Sequence, residues 1–209
     1  MSLARLFLPL MAAAFISLPA ASWAQQSPAP ARPAAAPAKP AAAPARPAAP
    51  AQPAAVPSVG GVQPTLLGQF GDWGAYTALP GGRKVCFALA KPASSTTNPP
   101  NRPRDPAFFF VSTRPAEKVK DEVSIIIGYT FKPASDATVD VGSANFGLYT
   151  QNDGAWIKNA AEEAKMVDAL RKGSDAVVKG VSGRGTQTTD TFSLKGLAQA
   201  LDRVAQECR

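Results

Sequence analysis

From Leu66 onward the chain alternates short runs of aromatic and β-branched residues with Gly, Pro, Asn and Asp punctuation. The runs Trp73–Ala78, Arg83–Ala90, Ala107–Thr113, Glu122–Phe131, Thr138–Gly142, Asn145–Thr150, Ala176–Val181 and Thr186–Phe192 predict strands. Many short strands with few helical stretches point to a mainly β fold, a single antiparallel β-sandwich or a barrel, and the sandwich is the expected class. Phe108–Val111 and Ile125–Ile127 are almost unbroken in apolar character. That pattern fits strands covered on both faces, so both belong at the centre of the core.

Two segments follow a helical period. In Ala160–Lys172, the residues Ala164, Val167 and Leu170 share a stripe, Asp168 precedes Lys172 by one helical turn, and Gly173 offers a stop. A second helix is expected to begin at Ser193 as N-cap, with Leu194, Leu197, Leu201, Val204 and Cys208 recurring at alternate spacings of three and four.

The first 64 residues are of another kind. Arg5, an apolar run from Leu6 to Leu18 and the small residues of Ser22-Trp23-Ala24 read as a secretory leader, residues 1–24, cleaved after Ala24. The run falls short of the roughly 20 residues a membrane-spanning helix needs, so the mature chain is expected to carry no transmembrane segment. Residues 25–64 are dominated by Ala and Pro in a seven-residue repeat marked by Arg32, Lys39 and Arg46. Two prolines per repeat forbid a coiled coil, and a disordered, polyproline-like linker is expected, reaching on the order of 100 Å at full extension. The β-domain then spans 65–209. The expected location is the periplasm or the exterior of the cell.

Composition narrows the chemistry. The chain has no His and only 2 Cys, which excludes a Ser-His-Asp triad, a His general base, a His-based zinc site and a four-Cys metal knuckle. No metal and no cofactor is expected. The formal charge is +7, but four of the basic residues, Arg5, Arg32, Lys39 and Arg46, precede the domain. The domain itself lacks a basic helix or an aromatic RNA-binding signature, so nucleic acid is not an expected partner. On the strand Arg83–Ala90, Cys86 alternates with Ala88 and Ala90 on a small-residue face, and Cys208 falls on the inward stripe of the last helix. In an oxidising compartment the two thiols are expected to pair, closing a long loop worth about 5 kcal/mol in chain entropy. There is no CxxC pair to support redox catalysis.

The segments Phe70-Gly71-Asp72-Trp73, Val85-Cys86-Phe87-Ala88-Leu89, Met166-Val167-Asp168-Ala169-Leu170-Arg171-Lys172-Gly173 and Phe192-Ser193-Leu194-Lys195-Gly196-Leu197, followed by Cys208, resemble invasion-associated locus B proteins. The resemblance runs from about Phe70 to Cys208. It implies an exported bacterial envelope protein with a β-sandwich domain, a part in host-cell entry for the member that named the family, and no established catalytic mechanism. Many family members carry a Cys soon after the opening Trp. Here that stretch reads Gly74-Ala75-Tyr76-Thr77, which leaves Cys86 and Cys208 as the remaining pair.

Four residues stand out as a candidate ligand or partner surface. Arg102 and Arg104 sit in the Pro-rich stretch Asn98–Pro106, a rigid loop whose guanidinium forks suit a carboxylate, a phosphate or an acidic sugar. Trp73 and Trp156 lie beside Gly and Asp, where an aromatic face can stack on a sugar or anchor the edge of a core. Gly183-Arg184-Gly185-Thr186 lacks the order of a phosphate loop and reads as a hairpin turn. No acidic pair stands out among Asp72, Asp105, Asp140, Asp153 and Asp190, so no catalytic residue is assigned. The expected function is a non-enzymatic envelope or interaction module whose partner is a cell-envelope component or another exported or host protein. The alternatives are a carboxylate-dependent hydrolase of envelope polysaccharide and a regulator of another exported protein.

Overall fold

Ala90 and Ser94 are separated by only three residues, yet the strands they belong to lie far apart in the hydrogen-bonded order, and this fixes the architecture. The computed structural model describes residues 56–209; the expected leader, and the expected linker up to residue 55, lie outside the described residues. The strands are β1 Thr65–Phe70, β2 Trp73–Ala78, β3 Val85–Ala90, β4 Ser94–Asn98, β5 Phe108–Arg114, β6 Val119–Ile126, β7 Ala137–Val141, β8 Ala144–Gln151, β9 Gly154–Ile157, β10 Asp175–Val181 and β11 Gln187–Ser193. The helices are α1 Ala160–Lys172 and α2 Leu197–Glu207. All strands join one 11-stranded sheet in the order β1-β2-β3-β5-β6-β9-β8-β7-β10-β11-β4, with every pairing antiparallel. In a flat sheet β3 and β4 would stand about 38 Å apart, at roughly 4.8 Å per strand. The connection Lys91–Ala93 spans at most about 14 Å. The sheet therefore folds over on itself, and the expected sandwich is built from one continuous sheet whose two layers join through the short β6–β9 ladder.

The layers meet on aromatic edges. The Phe109 ring of β5 lies 5.3 Å from Phe192 of β11 in a T-shaped contact, and Trp73 of β2 lies 5.6 Å from Phe109 in the same geometry. Each such pair contributes roughly 0.5–1.5 kcal/mol beyond its buried area. Trp73 is fully buried, and its indole N–H donates to the Ser193 carbonyl at 2.8 Å, which ties the first layer to the second. Both helices contribute to this same core: α2 lies across β1, β2 and β3, and α1 against β6, β8 and β9. The stripe Leu197, Ala200, Leu201 and Val204 packs on the small-residue face of Ala75, Cys86 and Ala88. There Cys86 and Cys208 form the expected disulfide, with Cα atoms 6.0 Å apart. Lys84 secures the same junction, donating to the Glu207 carbonyl at 2.9 Å and to its carboxylate at 2.7 Å.

A second apolar cluster lies on the other face of β3 and β5, formed by Val85, Phe87, Leu89, Phe108 and Phe110 with Val56, Val59, Tyr76 and Ile126 against it. The double coverage expected of Phe108–Val111 is thus met. Residues 56–64 were expected as the end of a disordered linker. Val59 and Val62 instead pair with each other, and Val56 and Val59 pack on the sheet.

Several other boundaries differ from expectation. The strand expected at Glu122–Phe131 runs instead over Val119–Ile126, and it ends earlier because Gly128, at φ 80°, turns the chain after β6. β1, β4 and β9 escaped the pattern of apolar runs: β1 and β4 are edge strands and largely exposed, and β9 has only 4 residues. The last helix does not start at Ser193, which ends β11; Gly196, at φ 95°, is its N-cap. The reason is steric. Asp72 donates its N–H to the Lys195 carbonyl at 3.1 Å, and this brings Gly196 so close to β1 that a Cβ there would stand 1.8 Å from the Phe70 carbonyl oxygen. Only a glycine fits both the left-handed backbone and that approach.

Replacing both cysteines, Cys86→Ser with Cys208→Ser, is expected to lower the unfolding free energy by roughly 2–5 kcal/mol in urea titrations. Without prior reduction, neither thiol of the native protein should be alkylated by iodoacetamide. Gly196→Ala is expected to cost at least roughly 3 kcal/mol. Gly142→Ala, at a left-handed turn with open space around it, should cost only about 1–2 kcal/mol in the same titration.

Candidate functional site

The inner faces of β11 and β4 turn polar toward the β10–β11 turn. Along β11 the inward positions read Phe192, Asp190 and Thr188, and all three are buried. A carboxylate fully withdrawn from water demands a cation. Arg104, from the Pro-rich crossover between β4 and β5, supplies it. One guanidinium nitrogen donates to Asp190 Oδ2 and to the Ile127 carbonyl, both at 2.8 Å. The other donates to Asp190 Oδ1 and, at 3.0 Å, to Ser95 Oγ. The pair is bidentate, and the side chains are 12% and 0% exposed. It binds the crossover to β4, β11 and the end of β6. Arg104 was expected on a ligand surface; it lines the cleft described next, but both terminal nitrogens of its guanidinium are committed to the protein, so its main part is to position the site.

Beside this pair opens a cleft of about 910 Å³, lined among others by Thr97, Arg102, Asp105, Tyr129, Thr130, Arg184 and Thr186. Two turns carry its arginines, and both are pinned. On one side the Arg102 N–H donates to Thr97 Oγ1 at 3.2 Å, and the Asp105 N–H to the Gly128 carbonyl at 3.0 Å. Gly128 permits that approach, since a Cβ there would lie 2.1 Å from the Asp105 carbonyl oxygen. On the other side Gly183-Arg184-Gly185-Thr186 is the β10–β11 hairpin turn, as expected. Its Gly183 N–H donates to the Thr130 carbonyl at 2.9 Å, and the Gly185 N–H to the Ser182 carbonyl at 2.8 Å. The Arg102 and Arg184 side chains are exposed, and no carboxylate among the described residues forms an ion pair with either.

Between these turns stands Tyr129. Its hydroxyl shares a 2.7 Å hydrogen bond with Thr188, and its ring packs edge-on against Phe131 at 5.4 Å. Burial pushes the phenol above its ordinary pKa, so it enters the cleft as a neutral hydroxyl.

The two tryptophans lie elsewhere. Trp73, fully buried with its N–H satisfied inside the fold, presents no ligand surface; of the two roles open to it, anchoring the core is the one it fills. Trp156 sits on the outer face of β9, its ring over Gly154 and stacked on Tyr149 at 5.7 Å. It is absent from the cleft lining. The structure thus brings Arg102 and Arg104 together and separates both from the tryptophans. Sequence reasoning missed Asp190 and Tyr129 and treated Arg184 only as part of a turn. For Asp190 the signal was present: it alternates with Phe192 on a strand whose inward face must be buried.

Residues 73–205 match the family model described as Invasion associated locus B (IalB) protein, and the chain belongs to that family. No curated protein and no solved structure matches it. Among the described residues, no helix is long and apolar enough to cross a membrane.

Removing one partner of the buried pair leaves an uncompensated charge. Arg104→Ala is expected to destabilise the domain by about 3–5 kcal/mol, whereas the double change Arg104→Met with Asp190→Leu should recover much of that loss. Chemical denaturation of the three proteins side by side checks this.

Proposed function

We propose that the domain is an exported, non-enzymatic interaction module of the cell envelope that engages its ligand through the cleft beside the Arg104–Asp190 pair. The observation that carries this reading is the presence of two guanidiniums without carboxylate partners, Arg102 and Arg184, on separately pinned turns lining one cavity. The pinned turns fix where the two side chains start, so less backbone ordering is needed on binding, which favours recognition. Export is supported by the Cys86–Cys208 bridge, since such bonds persist in oxidising compartments, and by the leader expected at residues 1–24. The word invasion in the family description makes a host surface one place to look for the partner.

The lining also favours binding over polysaccharide hydrolysis. Two-carboxylate hydrolysis needs a pair roughly 5–10 Å apart. Asp105 is the one carboxylate-bearing residue along the cleft, and the Asp190 beneath it is held by Arg104.

The test is retention and turnover on purified peptidoglycan sacculi. The expected outcome is sedimentation of the domain with the sacculi, no soluble product, and reduced retention for Arg102→Ala with Arg184→Ala. Release of soluble fragments that stops on Asp105→Asn would instead establish a hydrolase.

A further inference from the structure

The chemistry of the cleft goes further than its charge. We infer that it takes an acidic oligosaccharide, with Arg102 and Arg184 engaging a sugar carboxylate and the surrounding hydroxyls meeting those of the sugar. This rests on the cleft being the binding surface, and it adds the class of ligand.

The anion is a carboxylate because of what the hairpin turn lacks. Phosphate loops present a nest of free backbone N–H groups. Here the Gly183 N–H is spent on Thr130, the Gly185 N–H on Ser182, and the Thr186 N–H on Ser182 Oγ at 3.1 Å, which leaves at most the single N–H of Arg184 and no nest. Anion recognition falls to the side chains, whose guanidinium forks pair with a planar carboxylate as well as with phosphate; the hydroxyl and apolar surface around them selects the carboxylate of a sugar acid.

A saccharide body follows from the remaining surface. The Thr130 and Thr186 hydroxyls line the cleft without a hydrogen-bond partner among the described residues. A hydroxyl both donates and accepts, as sugar hydroxyls do. The Pro99 and Pro103 rings and the Tyr129 ring add apolar surface for the C–H face of a sugar. A volume of about 910 Å³ lies toward the upper end of small-ligand pockets, roughly 300–1,000 Å³, and suits more than one ring. Asp105 sets a limit on charge density. Its carboxylate accepts from sugar hydroxyls but repels a second acid group beside it, which favours acidic sugars alternating with neutral ones over a densely charged polyanion.

The experiment is calorimetric titration of the domain with a hyaluronan tetrasaccharide, in which glucuronate alternates with N-acetylglucosamine, against the neutral tetrasaccharide of N-acetylglucosamine. The acidic ligand should bind about tenfold or more tightly than the neutral one, with affinity falling as salt rises. Arg102→Ala and Arg184→Ala should each weaken it about tenfold. Arg83→Ala, an exposed arginine outside the cleft, should leave it unchanged, and matching thermal unfolding of all variants shows that they fold. Equal binding of the two tetrasaccharides, or indifference to both cleft arginines, overturns the inference. So does equal binding of tetraglutamate or inorganic phosphate. If sacculus retention still depends on the two arginines in such a case, the ligand class fails while the binding cleft stands. If retention is also indifferent to them, the cleft reading falls with it.

Discussion

A carboxylate inside a β-sandwich must be neutralised, and much of the geometry around the cleft follows from that requirement. Asp190 occupies an inward position of β11, between Thr188 and Phe192, with no access to water. The cation that answers it comes from a segment far away in sequence, so the Pro-rich crossover is drawn over that part of the sandwich and held there by the bidentate contact. Once Arg104 is fixed, Asp105 and Arg102 are placed within a few ångströms of chain, and Gly128 must be a glycine to let the crossover pass. A buried pair of this kind adds little net stability over a hydrophobic substitute. Its contribution is positional: it converts a proline-rich loop into one wall of a cavity.

The opposite end of the β10–β11 hairpin obeys another constraint, close approach of backbone to backbone. Ser193 accepts from the Trp73 indole, Lys195 from the Asp72 N–H, and Gly196 lies against Phe70. Leu194 donates to the Ser174 carbonyl at 2.8 Å, and Gly173 is crowded by Val141 and Leu194. Four sequence segments meet there, with glycine where backbones pass closest. The disulfide then ties the far end of α2 to β3, so the helix is held at both ends.

The fold was largely legible because inward positions repeat. Trp73–Ala78 coincides with β2, and the periodicity of Ala160–Lys172 gives α1 from its first residue to its last. What escaped notice lacked a readable signature: the Ser/Thr strand β4 at the sheet edge has no apolar run, β9 is apolar but only four residues long, and the start of α2 is set by contact with Phe70 and not by a capping side chain. The candidate site was half legible. Proline and arginine in Asn98–Pro106 drew attention to the correct loop. Nothing local shows that Arg104 turns inward while Arg102 stays out, because that choice is made by Asp190, which lies 86 positions away. Trp73 left two roles open, a stacking face or a core anchor, and the choice between them is made by Ser193, 120 positions away, whose carbonyl takes the indole N–H.

The segments that carry the family likeness are those that build the junction around Trp73, Ser193 and Gly196 and the seat of the disulfide. Arg102, Tyr129 and Arg184 lie outside those short segments, though within residues 73–205, which the family model matches. Those short segments are under packing constraint, whereas the cleft proposed above as the binding surface presents side chains on two turns that the scaffold holds in place. An exposed arginine on a pinned turn can be exchanged at little cost to stability, since it has no partner to lose. The fold therefore tolerates other side chains on those turns, which is why family membership names the scaffold without naming a ligand.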